Sequence, residues 1–377
     1  MTFALPNYSS GILPFRLRWS NPKYLDIAIP WRRQSYVVEV LHLKEQERET
    51  INPPAPEEQP RLEMRQLGNL GDLFLIHLVN TALKWVTLSI YHFWGKTRIR
   101  EYLWSHQSLE GDRFEYTGTG GNLFVGFLKA AIVVILLLIL ALALYLGTEG
   151  PVGLLFISST LLVYLVSQFL AAVAGYTARG YLLSRTRWRS IRFGQGGSAV
   201  GYAVRAMGLG FIVILTLGLY WPYRRHILLS YKINRTHFGT TPFAYNGSGG
   251  ELFGQFLLSY LLTIPALGLI WFWYGAREAA YVAAHTQRED LKFTIGYTWG
   301  QLFWLRSGNF LISIVTFGLG YPWVILRNFR FLFTHLEIRG EIDYESILQS
   351  QEAAPSSGEG LAEIFGMSGS FLGLGRI

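Results

Sequence analysis

The chain has 377 residues, of which 50% are hydrophobic and 15% are charged, a balance that differs from that of typical soluble proteins. It contains no cysteine, which excludes a disulfide framework, a cysteine nucleophile and thiolate metal sites. The basic residues that give a net charge of +8 stand beside apolar segments, where attraction to anionic lipid explains them. We therefore predict no nucleic-acid partner.

Residues 1–65 precede the first apolar run and form a predicted soluble appendage. Residues 26–29 and 35–41 favour β-strands, and residues 51–60 are typical of an extended linker. No short apolar core follows a basic start, so we predict no cleavable signal peptide and a cytoplasmic amino terminus.

Long uncharged runs determine the class of protein. Runs of about 18 to 25 residues match the roughly 30 Å hydrocarbon core of a bilayer, at about 1.5 Å per helical residue. They predict a polytopic membrane protein, and the loop between the first two runs lacks basic residues, which places it outside. The runs are residues 130–147, 151–176, 206–223, 252–276 and 307–326.

A repeat organises residues 66–349. The Leu-Phe pair that opens each copy recurs with a spacing of 50 residues, from Phe74 to Phe124 and from Phe253 to Phe303. A fixed period of this size indicates repeated supersecondary units. A degenerate copy without the Leu-Phe pair is expected near residues 197–200.

Each copy continues with an apolar segment, a turn of the type Thr-Leu-Gly, aromatic residues and a basic amphipathic run. Aromatics favour the headgroup level, and basic amphipathic helices commonly lie at the membrane interface. Single crossings would put successive basic runs on alternating sides, against the positive-inside tendency, so two alternatives remain: the shorter segments re-enter, or they cross. Pro265 and Gly268 within one apolar run favour re-entry in at least some copies.

These patterns predict an all-α membrane protein with internally repeated transmembrane or re-entrant helices. Basic interfacial helices and short β-turn connections would complete each copy. The membrane domain spans residues 66–349, and the Gly- and Ser-rich residues 350–377 are predicted to form a disordered tail.

Several motifs resemble those of the YjgN-like family of bacterial inner-membrane proteins. They stand at residues 102–105, 111–120, 183–189 and 216–222, and the resemblance covers roughly residues 67–349. It implies a multi-pass inner-membrane protein whose molecular function is not established, and it carries over no catalytic residue. It also suggests a membrane-associated metallopeptidase as a partner, because some relatives are encoded beside one.

Histidines and glycine turns are explained by local structure. His106, His285 and His335 end comparable basic runs, but without a His-x-x-x-His pair they are better explained as helix-end side chains bonded to the backbone than as metal ligands. The glycines at residues 118–121 and 247–250 are better explained by tight turns than by an anion site. We predict no metal and no cofactor.

Polar residues near the apolar segments are the candidate functional groups. Lys84 is a candidate because a charge at the centre of a membrane helix costs about 2.5–3.5 kcal/mol. Asn80 and Asn309 suit hydrogen bonds between helices. One arginine in each of five basic runs is expected to contact anions or lipid headgroups. These are Arg98, Arg179, Arg224, Arg277 and Arg327.

The leading functional hypothesis is a non-enzymatic inner-membrane scaffold or lipid-interacting protein, with membrane lipid as its partner. Enzyme activity is not predicted, since Gly-x-Ser-x-Gly, His-Glu-x-x-His and paired intramembrane carboxylates do not occur. One alternative is a channel or transporter whose bent helices line a polar cavity past Lys84, Asn80 or Asn309. The other is an accessory subunit of a membrane-associated metallopeptidase.

Overall fold

The computed structural model describes residues 60–146, 152–342 and 347, which lie in one compact unit that begins at Gln59. The predicted tail at residues 350–377 and the predicted strands at residues 26–29 and 35–41 lie outside the described residues. The first described strand begins at Arg61.

The described helices follow one another as five hairpins, numbered 1 to 5 along the chain, each with an outgoing and a returning helix. Three outgoing helices begin where short polar side chains cap free backbone N–H groups: Asn69 and Ser198 each accept one such bond, and Thr298 forms a capping box with Gln301. The hairpins are α1 (Leu70–Val86) with α2 (His92–Ser105), α3 (Gly120–Leu146) with α4 (Val152–Arg185), α5 (Ala199–Leu215) with α6 (Trp221–Ile233), α7 (Phe253–Leu261) with α8 (Ile270–Ala284), and α9 (Trp299–Val315) with α10 (Tyr321–His335).

Short strands separate the hairpins. The described strands contain two to five residues each, and returning helices lead directly into them. They are β1 (Arg61–Leu62), β2 (Met64–Gln66), β3 (Gln107–Leu109), β4 (Asp112–Tyr116), β5 (Thr186–Trp188), β6 (Ile191–Gln195), β7 (Thr236–Phe238), β8 (Thr241–Pro242), β9 (Ala244–Tyr245), β10 (Thr286–Arg288), β11 (Leu291–Ile295) and β12 (Leu336–Arg339).

The prediction of an all-α fold is wrong, because these strands pair into two antiparallel sheets. One sheet has the order β1-β12-β11-β10-β9, and the other has the order β2-β3-β4-β5-β6-β7-β8. Strands this short show no readable alternation of polar and apolar residues. Their partners also include segments distant in sequence, as where Phe293 pairs with Ile338, so local patterns do not reveal them.

Both the strands and the helices close into a ring. Strand β1 pairs with β12 and the adjacent β2 pairs with β3, so this stretch connects the two sheets. The sheets are connected a second time where β8 pairs with β7 and the adjacent β9 pairs with β10. Each described helix packs against its neighbours in the chain, and α10 packs against α1. Because each hairpin leaves from a strand and returns to one, the tips of the four shorter hairpins lie at the helix ends away from the sheets.

A recurring turn ends the shorter outgoing helices. At residues 217–218 and 317–318, Leu-Gly or Phe-Gly takes two successive positive φ angles, which the glycine accommodates easily. The N–H of Gly218 donates to the Val213 carbonyl at 2.7 Å, a bond that closes the helix end. The Thr216 hydroxyl accepts from the Tyr220 N–H at 3.1 Å.

The prediction of a membrane domain built from many crossing helices is also wrong. Apolar runs such as residues 206–223 are divided by the turn into two helices. Among the described residues, only two helices are long and apolar enough to cross a membrane, at Gly120–Ile139 and Ile157–Arg185.

Among the apolar clusters of the described residues, two contain buried strand residues. The central cluster joins hairpins 1, 2 and 5 through Leu73, Leu103, Leu182 and Phe329, together with three further side chains. A second cluster inside the strand ring contains Trp188, Phe238 and Ile347. Each fully buried side chain of this kind contributes about 1.5–3 kcal/mol to folding.

Candidate functional site

The tips of the four shorter hairpins carry exposed apolar side chains. The residue at the first positive φ of each turn points away from the protein, with exposed fractions of 89% for Leu88, 80% for Leu217, 88% for Leu267 and 96% for Phe317. Soluble monomers rarely gather large apolar residues on one exposed surface. We call these four residues, with their exposed apolar neighbours, the tip surface.

Hairpin 2 extends the same surface. Its two candidate spans are mostly unburied, with only 17% and 6% of the residues in their most apolar windows inside the protein. Ile132, Leu136 and Leu138 on α3 are all more than half exposed. A core helix of a soluble protein would bury such a window, so these helices expose apolar surface as membrane helices do.

The five candidate arginines lie on five different returning helices and do not converge on one point. Arg98 and Arg277 are exposed, whereas Arg179 is half-buried and donates to Gln195 Oε1 at 2.5 Å. Arg224 and Arg327 are also half-buried. Arg179 therefore has a hydrogen-bond partner inside the protein.

Aromatic rings lie beside three of these arginines. The guanidinium carbon is 5.9 Å from the Tyr91 ring centre for Arg98, 5.5 Å from that of Trp221 for Arg224 and 4.7 Å from that of Trp273 for Arg277. Cation–π contacts of this kind contribute about 0.5–1 kcal/mol at exposed sites. The returning helices thus combine cationic and aromatic side chains close to the tips.

The three polar candidates are placed differently from one another. Asn80 is buried and donates from Nδ2 to the Gly95 carbonyl at 3.0 Å, which joins α1 to α2. Asn309 donates to Asn328 Oδ1 at 2.6 Å, which joins α9 to α10. Lys84 is exposed in the last turn of α1. The asparagines therefore connect the two helices of a hairpin.

The three histidines that end basic runs each bond the backbone one helical turn earlier. Their Nδ1 atoms lie 2.7, 2.9 and 2.8 Å from the carbonyl oxygens four residues before them, for His106, His285 and His335 respectively. Each ring also stacks on or packs against the aromatic ring at that position. Within the described residues no group of three or more His, Asp or Glu side chains is placed to hold a metal.

A groove opens between α9 and α10 beside the start of α1. Its volume is about 510 Å³, and Arg327, Arg330 and His335 line it together with Trp304 and Trp323. Arg327 is the one candidate arginine that this groove contains. The arrangement combines cationic and aromatic groups in one concave site, which suits an amphiphilic anion.

A buried polar cluster between hairpins 3 and 4 was missed from the sequence. Arg225 forms an ion pair with Glu278, and His226 Nδ1 lies 2.5 Å from the Tyr245 hydroxyl. Burial, reinforced by Arg225, lowers the pKa of His226 to about 4. Burial raises the pKa of Glu278, and Arg225 opposes that rise. The only available signal was an acidic residue within an otherwise basic run, at Arg277-Glu278.

Comparisons with known proteins agree with the resemblance read from the motifs. The family model described as "Bacterial protein of unknown function (DUF898)" matches residues 61–272 and 258–364. "Inner membrane protein YjgN" of Salmonella typhimurium is 38% identical over 68 residues, 18% of this chain and 17% of that relative. Its namesake in Escherichia coli K12 is 44% identical over 55 residues, 15% of this chain and 14% of that relative.

These matches confirm the predicted relationship to YjgN-like proteins. The aligned segments span less than a fifth of the length of these curated relatives. No solved structure matches the chain significantly.

Proposed function

From the premise that the chain belongs to the bacterial DUF898 family, we propose that the protein is a non-enzymatic, lipid-interacting scaffold of the bacterial inner membrane. Hairpin 2 crosses the bilayer, and the tip surface of the four shorter hairpins contacts lipid. The observation that carries the proposal is the tip surface itself, where Phe317 is 96% exposed and Leu88 89% exposed. Apolar area left in water costs about 25 cal/mol per Å², so a lipid environment stabilises this surface.

Helix lengths support different positions in the membrane for hairpin 2 and for the shorter hairpins. The outgoing helices α1, α5 and α9 have 17 residues each, about 25 Å of helix, which falls short of a roughly 30 Å hydrocarbon core. Helix α3 has 27 residues, about 40 Å. Hairpin 2 is therefore the hairpin that anchors the protein across the bilayer.

The charge distribution supports one membrane side for the sheet end. Since every hairpin returns to the sheets, the basic returning helices all lie on the same side of the tips, as the positive-inside tendency requires. Near an anionic surface, each exposed arginine such as Arg98 or Arg277 contributes about 1 kcal/mol of attraction. The name of the relatives supports the bacterial inner membrane as the location.

We also infer that the five hairpins are copies of one structural unit. The same pair of positive φ angles occurs at four tips, and Asn80 and Asn309 join the two helices of their hairpins from equivalent places. A ring of such copies presents several lipid contacts at fixed distances, which is the basis of the scaffold role.

The proposal does not extend to a channel. The central cluster packs Leu103, Leu182 and Phe329 between hairpins near the sheets, and Asn80 and Asn309 bond within their hairpins.

Single cysteines carrying a fluorescent probe test lipid contact directly, since the chain has no cysteine of its own. In reconstituted vesicles, probes at Leu217→Cys and Phe317→Cys are expected to be quenched by lipids with a spin label in the acyl chain. The matched control is Asp290→Cys, in the exposed turn between β10 and β11. Equal quenching of all three probes by a water-soluble quencher, with none from lipid, would contradict the proposal.

Sidedness provides a second test. Thr119, Ser248 and Thr298 are exposed residues at the starts of outgoing helices or just before them, at the sheet end. Single cysteines at these positions are expected to react with an impermeant reagent from the same side of the membrane. Labelling that alternates between the two sides would contradict the shared orientation of the hairpins.

A further inference from the structure

The groove between α9 and α10 has the dimensions and the lining of a specific lipid site. We propose that it binds one anionic glycerophospholipid, with the phosphate held by Arg327 and Arg330. This inference rests on the proposed function, because it names the lipid class that one hairpin recognises. Its volume of about 510 Å³ accommodates a headgroup with the first part of the acyl chains, within the usual range for ligand sites.

The charges of the groove favour an anion. Arg327, Arg330 and His335 line it, and none of the eleven described lining residues is acidic. Gln301 and Thr334 add neutral polar groups. A phosphodiester placed here would meet cationic donors without a competing carboxylate, which is the arrangement that recognises phosphate.

Both guanidinium groups are held in place and retain donors. Arg327 Nη2 donates to the Trp304 carbonyl at 3.1 Å, and Arg330 Nη2 donates to the Gly68 carbonyl at 3.1 Å. A guanidinium has five N–H donors, so one such bond leaves others for a ligand. The two bonds orient the arginines before any lipid arrives, which lowers the entropic cost of binding.

The order of residues along α10 matches the orientation of a lipid. Trp323 lies in the first turn next to the tip, Arg327 and Arg330 follow, and Thr334 and His335 end the helix at the sheet side. The polarity therefore rises from tip to sheet over about 18 Å. A lipid whose acyl chains extend toward the tip surface would place its phosphate beside the arginines.

The rim of the groove contributes apolar contacts to the same lipid. Trp304 and Trp323 are 70% and 52% exposed, and indole rings favour the boundary between headgroups and acyl chains. Leu70 of α1 and Leu305 of α9 also line the groove. Since α10 and α1 close the helix ring, a lipid in this groove also bridges the first and last hairpins.

Lipid titration of the purified full chain, followed by native mass spectrometry, tests the site. Delipidated protein is expected to retain one phosphatidylglycerol molecule at least tenfold more tightly than phosphatidylcholine. The double variant Arg327→Gln with Arg330→Gln should lose that preference, whereas Arg113→Gln, which removes an exposed arginine of β4 outside the groove, should keep it. Equal affinity for both lipids, or an unchanged preference in the double variant, would overturn the proposal.

Two further measurements separate the sources of a negative result. If inorganic phosphate displaces phosphatidylglycerol completely, the groove recognises a free anion and the lipid proposal fails. The Arg327→Lys with Arg330→Lys variant keeps the charges and should retain part of the preference, provided its thermal unfolding matches that of the unaltered chain. Quenching of the Phe317→Cys probe in phosphatidylcholine vesicles reports the proposed function alone, so loss of groove binding with intact tip quenching leaves that function standing.

Discussion

Two regions of this protein reverse the usual distribution of charge and apolar surface. Between hairpins 3 and 4, Arg225 and His226 meet Glu278, whose side chain is only 7% exposed. At the tips, Leu267 and Phe317 are almost entirely exposed. A protein surrounded by water would be destabilised by both features, because buried charge and exposed apolar area each cost free energy.

The difference shows what holds each region in place. The buried cluster is stabilised by specific partners, so its contribution depends on every member and on protonation. The tips are ordered by backbone hydrogen bonds, such as the bond from Gly318 N–H to the Ser313 carbonyl, while the apolar side chains at their first positive φ angles are at least 80% exposed. The tip side chains are therefore available for contact with the surroundings of the protein.

The largest expected effect comes from breaking the ion pair. Arg225→Ala leaves the Glu278 carboxylate buried without its cation, and we expect the free energy of unfolding in detergent to fall by about 3 kcal/mol. Chemical denaturation followed by circular dichroism measures it. Adding Glu278→Gln to the Arg225→Ala variant should recover most of the lost stability, because a neutral amide costs less free energy to bury than a carboxylate.

The matched control is Arg277→Ala, one residue before Glu278 and exposed. Apart from its contact with Trp273, Arg277 has no part in the cluster, so the free energy of unfolding should change by no more than about 1 kcal/mol. If the two arginine variants lose the same stability, the buried cluster has no special role.

Acidification tests the same cluster through His226. Burial and Arg225 lower the pKa of His226 to about 4 in the folded chain, whereas an unfolded histidine has a pKa of about 6.5. The stability that neutral His226 contributes is complete above pH 6.5 and is lost as the pH falls toward 4. We expect a loss of about 2–3 kcal/mol over this window, read from unfolding curves at several pH values.

The pH dependence of stability that Glu278 contributes has the opposite sign to that of His226, so variants of the two residues distinguish their contributions. Burial raises the pKa of Glu278, so the folded chain binds this proton more tightly than the unfolded chain does. The stability that the carboxyl contributes therefore falls as the pH rises above the pKa of an unfolded glutamate. Glu278→Gln should therefore steepen the loss of stability on acidification. His226→Phe should flatten it, and an unchanged slope in that variant would assign the pH dependence to other groups.

A charge introduced at a tip tests whether the exposed apolar side chains contact lipid. Phe317→Asp should weaken lipid contact of hairpin 5 by about 2 kcal/mol, since an apolar side chain is replaced by an ion near the bilayer. A probe at Leu319→Cys should lose most of its quenching by spin-labelled lipid, while a probe at Leu267→Cys keeps its own. Unfolding in detergent should hardly change, because Phe317 is 96% exposed.

The smallest expected effect sharpens the description of the tip turn. Ser89 occupies a positive φ of 72°, where Gly218, Gly268 and Gly318 stand in the other tips. Ser89→Gly should raise the free energy of unfolding by about 1 kcal/mol, because glycine adopts this backbone conformation without a side-chain clash. The reverse change, Gly218→Ser, should cost a similar amount, and opposite results would show that the turns differ in strain.

Local signals were sufficient for the tips and the helices. The Thr-Leu-Gly motif at residues 216–218 predicts a bend because glycine tolerates positive φ and the Thr216 hydroxyl can bond the backbone, and the structure has both features. The positions of Asn80 and Asn309 in apolar segments indicate hydrogen bonds between helices, and both side chains donate to the other helix of their hairpin.

Contacts distant in sequence could not be read in this way. Arg225 and Glu278 lie on different hairpins, and no local pattern relates them. The groove likewise combines Leu70 with Arg330, which approach each other only because the last hairpin packs against the first.

The amino-acid sequence by itself determined the membrane character, the repeating copies, the bends and the basic returning helices as predictions, because each depends on composition or on neighbours within a few residues. The tertiary structure alone decided that short strands close the sheets into a ring and that, among the described hairpins, hairpin 2 has the helices long and apolar enough to cross a membrane. These features arise from hydrogen bonds and packing between segments far apart in the chain, whose pairing depends on the whole fold.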